Sequence, residues 1–301
     1  MKKMFLGLMV LFLIFFIGCG SDDSSGPNLY DEQIAYIFLM QDYNTTSEIY
    51  EIDGLWGMIP DMNTLIEGDN YKIFNYEFNE FRKYYEFVSG LSIDSSDWTS
   101  TEYNNVNSAF KNSSTISIEI NTNIGKLAGE VDKITSVAEN VLVNGSSPAS
   151  LTLNKNSDMT VTWDYSFSPP EYVYLYIYYD WWNDDGSANY ENITLVETIL
   201  NGSTESYTVS GDLLNEDGYV TIRITPINGS IVLSGEEIVS RTPNLTGDGS
   251  GYFFTMGDTY HINDITVGNY PITSLVDSHN LDEVNAKNSF IEMIINNLNY
   301  R

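Results

Sequence analysis

The feature that most constrains the fold is a strict alternation of apolar and polar side chains in the middle of the chain. From Met159 to Tyr165 every second residue is apolar or aromatic, and a second alternating run extends from Tyr172 to Tyr179 after a break at Pro169-Pro170. Successive side chains of a strand point to opposite faces of a sheet, so a period of two predicts half-buried β-strands. Further β-compatible runs are Gln33–Met40, Ser47–Asp53, Tyr71–Phe78, Tyr84–Val88, Thr115–Asn121, Lys126–Val131, Ile193–Leu200, Tyr207–Val209, Tyr219–Thr225, Tyr252–Met256 and Ile262–Val267. The sequence therefore predicts an all-β protein.

The start of the chain differs from the rest. Lys2 and Lys3 precede an unbroken apolar run, Met4 to Ile17, which ends at Gly18 and at Cys19, the only cysteine. The run is shorter than the roughly 18 apolar residues that cross a bilayer. A positive start, a short apolar run and a small residue predict a cleaved secretion signal over residues 1–18. Residues 19–27 are polar and predict a tether.

The residues Phe16-Ile17-Gly18-Cys19 resemble the lipobox of bacterial lipoproteins. The resemblance implies cleavage before Cys19 and attachment of lipid to its sulfur, which would anchor the protein to a membrane. Lipoproteins retained at the inner membrane often carry aspartate directly after the cysteine. Gly20 stands there in this chain, so the resemblance implies a place in the cell envelope at the outer membrane.

The charge balance restricts the partners. Thirteen basic residues stand against 42 acidic ones, and the formal net charge is −29. A surface this acidic repels phosphate backbones, which excludes nucleic acid as a partner and disfavours anionic lipid headgroups. Cations and basic surfaces fit it better. The alternative is that the acids only keep an anchored domain soluble.

Length and composition predict two β-sandwich-like domains. The first covers residues 28–135 and the second 136–268, with Ser136–Pro148 as the joint. Residues 269–301 form a C-terminal tail. Its apolar residues recur at helical spacing between Asp282 and Asn299, so the tail is predicted to contain a short amphipathic helix. That helix either packs on the sandwich or binds a partner.

The second domain carries another resemblance. A strand with Trp163, the double-proline break, a long following strand, Leu213-Leu214 leading into Val220–Ile224, and then Asn228-Gly229 occur in the order of a fibronectin type III or related immunoglobulin-like sandwich. The resemblance covers roughly residues 148–240 and implies two packed antiparallel sheets.

The candidate ligand-binding residues are a row of aromatic side chains on one strand face and just beyond it. Exposed rings in a line stack on sugars or grip another protein. The alternative is that the rings pair across strands or lie under neighbouring structure. The residues are Tyr172, Tyr174, Tyr176, Tyr178, Trp181 and Trp182.

Calcium is the only cofactor for which a candidate exists. A turn rich in hard oxygen ligands follows Trp182, and weak extracellular calcium sites use such ligands. The spacing does not fit an EF-hand, and the alternative is a solvated hairpin loop. The residues are Asn183, Asp184, Asp185, Asn189 and Glu191.

Catalysis is not predicted. His261 and His279 are the only histidines, and the chain lacks the metalloprotease, nucleophile-elbow and phosphate-loop motifs. The expected function is a lipid-anchored, non-catalytic binding, adhesion or scaffold protein whose partners are the membrane, through its lipid, and a glycan or envelope protein. One alternative is a carbohydrate-binding lipoprotein that uses an exposed tyrosine row. Another is a glycan hydrolase with a carboxylate pair, because that chemistry needs only two suitably placed acids.

Overall fold

The computed structural model describes residues 34–44, 49–58, 68–78, 90–94, 99–122, 125–149, 151–166, 168–182, 188–229, 231–234, 237–241 and 243–269. All of them belong to one compact unit that spans residues 33–301. The predicted signal peptide, the tether, the Tyr84–Val88 strand and the C-terminal helix lie outside the described residues.

The described chain is an all-β, sandwich-like protein with one α-helix, which confirms the predicted fold class. The first nine strands and the helix come in this order: β1 (Ile34–Asn44), β2 (Ile49–Met58), β3 (Gly68–Ile73), β4 (Tyr76–Phe78), β5 (Gly90–Asp94), α1 (Ser100–Asn112), β6 (Thr115–Thr122), β7 (Gly125–Asp132), β8 (Ala138–Val143) and β9 (Thr152–Leu153). The remaining strands are β10 (Met159–Tyr165), β11 (Tyr172–Trp182), β12 (Ala188–Asn201), β13 (Ser206–Val209), β14 (Gly218–Gly229), β15 (Ile231–Ser234), β16 (Glu237–Arg241), β17 (Leu245–Gly247), β18 (Ser250–Met256) and β19 (Tyr260–Val267).

Two sheets form a sandwich in the second half of the chain. The small sheet has the order β13-β10-β8, and the part of the main sheet that faces it has the order β12-β11-β14-β19, with β9 on the outer side of β19. The alternating residues of β10 and β11 meet between the sheets, where Trp163, Val173, Leu175 and Ile177 are buried in one core. The alternation in the sequence therefore predicted correctly which face of β10 and of β11 is buried.

The main sheet continues beyond the sandwich. Strand β14 pairs with β19 through its first half and with β18 through its last three residues. From β18 the sheet extends on one side to β17, β7, β6, β3 and β4, and on the other to β1, β2 and β5. The contact between β14 and β18 is close, because a Cβ atom on Gly229 would clash with the ring of Phe254.

A second core lies among the strands of the first half. It contains Ile116, Ile118 and Ile120 from β6, together with Val106 and Phe110 from helix α1. Leu245 and Phe253 also belong to it, although both lie in the predicted second domain, residues 136–268. The segment between β14 and β19 thus leaves the sandwich and adds strands to the first half. The division into two domains stays a prediction.

One expectation about local structure is wrong: the first half is not all β, because α1 lies within residues 28–135. A capping box starts this helix: the Thr99 hydroxyl accepts from the Glu102 amide at 3.3 Å, and the Glu102 carboxylate accepts from the Thr99 amide at 2.7 Å. The predicted joint, Ser136–Pro148, contains strand β8, whose Val141 and Val143 point into the sandwich core.

Candidate functional site

The four tyrosines of β11 lie on the face of the main sheet opposite the sandwich core. Tyr174 and Tyr176 stack with ring centroids 6.2 Å apart, and Tyr176 and Tyr178 are tilted at 5.7 Å. Tyr174 is 0% exposed and Tyr178 is 8% exposed, whereas Tyr172 and Tyr176 are half-buried. The alternation of the sequence correctly predicted that the four rings share one face of β11. Two of the rings are buried, however, so the row is not an open surface.

Neighbouring strands hold the tyrosine hydroxyls. The Tyr174 hydroxyl donates to the Glu197 carboxylate of β12 at 3.1 Å, and the Tyr176 hydroxyl lies 3.4 Å from the Thr194 hydroxyl. The Tyr172 hydroxyl donates to the carbonyl of Ile231, the first residue of β15. The row is therefore tied to its neighbouring strand and to the segment that follows β14, as cross-strand pairing predicts.

A buried arginine belongs to the same face. Arg223 of β14 lies opposite Tyr176 in the register and is 2% exposed. Its guanidinium carbon lies 5.5 Å from the centroid of the Tyr178 ring, and its Nη2 donates to the Tyr178 hydroxyl at 3.4 Å. A cation over an aromatic face is stabilised by the ring quadrupole. The sequence signal for this residue is an arginine on the polar side of the alternating run Val220–Ile224, which the sequence analysis did not use.

Burial is the main cause of the raised pKa values of two tyrosines on this face. It raises the pKa of the Tyr174 hydroxyl well above its ordinary value, and the negative charge of Glu197 raises it further. Burial also raises the pKa of Tyr172, with a smaller contribution from Glu171. These hydroxyls stay protonated at neutral pH and act as hydrogen-bond donors.

Of the two alternatives for the row, the covered one therefore applies to Tyr174 and Tyr178. A sugar ring stacks on an aromatic face only if that face is open, and the two buried rings offer none. Tyr172 and Tyr176 are partly accessible, and ligand binding at them stays a prediction.

The other candidate residues lie at the end of β11. Trp181 and Trp182 close the strand, opposite Asn189 and Ala188 of β12. The calcium candidates Asn183, Asp184 and Asp185 lie outside the described residues, and the structure describes the backbone of Asn189 and Glu191 in β12 but not their side chains. The calcium site stays a prediction. In the described part of the chain, no group of three or more His, Cys, Asp and Glu side chains is placed to hold a metal ion.

A cleft of about 260 Å³ lies where the two cores meet. Its lining comes from the residue before β6, the end of β7 and the residues after it, the Pro169-Pro170 turn, and the end of β14: Ser114, Asp132, Lys133, Thr135, Ser136, Ser168, Pro169, Pro170, Glu171 and Asn228. Asn228 joins the last three of these segments. Its amide nitrogen donates to the carbonyls of Asp132 and Lys133 at 3.2 and 3.3 Å, and its amide oxygen accepts from the Glu171 amide at 2.8 Å.

The charged groups of the cleft are held by backbone. The Glu171 carboxylate accepts from the Gly229 amide at 2.8 Å, and the Lys133 ammonium donates to the Phe110 carbonyl at 2.9 Å. Burial raises the pKa of Glu171, and the charge of Asp132 adds to the increase while the Gly229 amide opposes it. Burial lowers the pKa of Lys133. In the sequence, Asn228-Gly229 stands out only as part of the sandwich resemblance, and no pattern singles out Glu171.

This cleft has two acids in its lining, as the hydrolase alternative requires. One of them, Glu171, directly precedes β11 and accepts a hydrogen bond from the amide of Gly229, the last residue of β14. Its carboxylate therefore connects the two strands as well as lining the cleft. The geometry favours a structural joint.

No protein-family model and no curated protein matches this chain. Among the described residues, no helix is long and apolar enough to span a membrane.

Proposed function

We propose that the chain is a lipid-anchored protein of the cell envelope that works as a non-catalytic binding or scaffold module. The observation that carries this proposal is the leader: two lysines, an apolar run and Phe16-Ile17-Gly18-Cys19, which resembles a lipobox. The polar residues 19–27 are the predicted tether, and the first strand of the described chain is β1, which begins at Ile34. Lipid on Cys19 holds the folded part at the membrane surface.

The strand order supports a fibronectin type III-like or immunoglobulin-like second domain. Three strands, β13-β10-β8, face four strands, β12-β11-β14-β19, across a core that contains Trp163. Antiparallel sheets that pack over a core with a tryptophan on an inner strand are typical of such sandwiches. The connection from β14 to β19 carries strands β15 to β18, which makes it an unusually large insertion for such a domain.

Binding through a sugar-stacking tyrosine row is not proposed. Tyr174 and Tyr178 are buried, so their rings stabilise the sheet. The acidic surface fits a basic partner better than a nucleic acid or an anionic glycan. Specific recognition by an envelope protein is therefore the form of binding that we propose.

Membrane fractionation tests the anchor. We expect the wild-type protein to sediment with membranes and to be released by detergent but not by high salt, because acyl chains hold it by hydrophobic burial. Cys19→Ser removes the acylated sulfur and should leave the protein unprocessed and without lipid. Ser21→Ala, two residues away, is the matched control and should behave as the wild type. Metabolic labelling with an alkynyl fatty acid provides the readout, and equal labelling of wild type and Cys19→Ser would contradict the proposal.

A second variant tests the outer-membrane assignment. Gly20→Asp places an acid directly after the cysteine, which the resemblance associates with retention at the inner membrane. Density-gradient separation of the two membranes should show the wild type in the outer fraction and Gly20→Asp in the inner one. The same fraction for both proteins would contradict the sorting assignment and leave the lipid anchor standing.

A further inference from the structure

Strand β1 buries a glutamine whose side chain forms no hydrogen bond. Gln41 is 0% exposed, and neither its amide nitrogen nor its amide oxygen has a partner among the described residues. A primary amide that is buried and left unpaired destabilises the folded state, because it gives up its hydrogen bonds to solvent without replacing them. The side chain of Gln41 therefore favours any state in which this part of β1 is open to water.

The pairing of β1 changes at the same residue. From Ile34 to Met40, β1 pairs in parallel with Ser250–Met256 of β18. From Gln41 to Asn44 its described partner is β2 alone, and the register between β1 and β2 shifts between Met40 and Gln41. The unpaired amide thus lies at the end of the contact with β18, where the ladder on the other side of the strand is also irregular.

Strands β1 and β2 are joined to the rest of the sheet along one side. We call Ile34–Asn44 and Ile49–Met58 the N-terminal pair. In the described sheet β1 pairs with β18 and β2 pairs with β5, and β5 pairs with β2 alone. The described ladder that connects the N-terminal pair to the main path of the sheet is therefore the parallel one with β18, which joins seven residues of each strand. Parallel pairing is slightly less stable per residue than antiparallel pairing.

Apolar contacts next to Gln41 hold the N-terminal pair in place. Phe38 stacks on Phe254 of β18 with ring centroids 5.3 Å apart, and Leu39 is buried in one core with Val106 and Phe110 of α1. Burial of these side chains drives β1 onto the sheet. The unpaired amide, two residues beyond Leu39 in the same strand, opposes it. The N-terminal pair is therefore held less tightly than it would be with an apolar residue at position 41.

We propose that the N-terminal pair is a separate opening unit, which detaches from β18 while the sandwich stays folded, and that the buried amide of Gln41 sets how often it opens. The parallel ladder and the unpaired amide at its end support this device. Opening returns the amide to water and uncovers the backbone of β18 from Ser250 to Met256. A strand that is covered in the closed form becomes an accessible sheet edge in the open one.

A second buried side chain provides the matched control. Thr198 of β12 is 7% exposed, and its hydroxyl has no hydrogen-bond partner among the described residues. It lies opposite Leu175, a residue of the sandwich core. Thr198→Val keeps nearly the same shape and removes an unpaired polar atom, as Gln41→Leu does. Strands β11, β14 and β18 lie between β12 and β1 in the sheet, so this change acts on the sandwich and not on the N-terminal pair.

Hydrogen exchange of the full-length protein, followed by mass spectrometry of its peptides, tests the proposal. In the wild type, the amides of the N-terminal pair should exchange at least about a hundredfold faster than those of β10 and β11, because a local opening occurs more often than global unfolding. Gln41→Leu should slow exchange in the N-terminal pair by about tenfold or more. Thr198→Val should leave that exchange unchanged. Gln41→Met, a second apolar replacement, should act as Gln41→Leu does and serves if the leucine variant does not fold.

Three results would overturn the proposal. If the N-terminal pair exchanges as slowly as β10 and β11 in the wild type, it does not open separately. If Thr198→Val slows its exchange as much as Gln41→Leu does, its amides exchange only when the whole protein unfolds. If exchange is unchanged in Gln41→Leu and Gln41→Met, the buried amide does not set the frequency of opening.

Discussion

Replacement of Tyr174 distinguishes a structural tyrosine row from a ligand-binding one. The Tyr174 ring is 0% exposed, stacks on Tyr176 and donates its hydroxyl to Glu197. Truncation of a buried aromatic residue to alanine removes its burial and leaves a cavity, which costs about 3–5 kcal/mol. We therefore expect Tyr174→Ala to lower the free energy of unfolding by about 4 kcal/mol and the melting temperature by about 10 °C.

Two further variants separate the contributions. Tyr174→Phe keeps the ring and loses the bond to Glu197, whose exposed carboxylate recovers water, so the cost should be about 1 kcal/mol. Tyr176→Ala should cost about 1–2 kcal/mol, because its ring is only half-buried. Guanidinium denaturation followed by circular dichroism provides the free energies. A loss of less than about 1 kcal/mol in Tyr174→Ala would refute the argument, since a buried ring cannot be removed so cheaply.

Three other predictions follow from particular contacts. Burial raises the pKa of Tyr179 to about 12, so its hydroxyl keeps its proton in the folded protein at a pH where the unfolded chain loses it. Stability should therefore fall as pH rises from 10 to 12, and less steeply in Tyr179→Phe; parallel slopes in alkaline denaturation would contradict this. Thr99→Ala removes the helix cap and should cost about 1 kcal/mol, against little change for Ser100→Ala; equal thermal shifts would argue against the cap. Asn228→Leu leaves the carbonyls of Asp132 and Lys133 and the Glu171 amide without this hydrogen-bond partner, so it should lower the free energy of unfolding by about 2–4 kcal/mol in urea denaturation. A loss below about 0.5 kcal/mol would show that the contact at the cleft does not depend on Asn228.

The sandwich strands could be predicted from the sequence because their signal is local. Met159–Tyr165 and Tyr172–Tyr179 alternate strictly, and both became strands with one face in the core. The polar face of β11 was harder to interpret. The sequence pattern is the same for a tyrosine that is buried by neighbouring strands and for one that is exposed to solvent. The pairing of β11 with β12 and β14 showed that Tyr174 is buried.

Features that depend on distant segments could not be predicted. Strand β1 pairs in parallel with β18 across more than two hundred residues of chain, and no local pattern encodes that choice. Helix α1 was missed for another reason. Its three buried residues, Val106, Asn107 and Phe110, form a narrow face in a segment rich in asparagine, and asparagine is a poor helix former. The Thr99-to-Glu102 capping box was the available signal.

The mass of the mature protein extracted from membranes tests the central claim most directly. We expect a chain that starts at Cys19, lacks residues 1–18 and carries the added mass of a diacylglycerol on the cysteine sulfur, with a further acyl chain at the new amino terminus. A mature chain that still starts at Met1, or one that carries an unmodified Cys19 thiol, would contradict it.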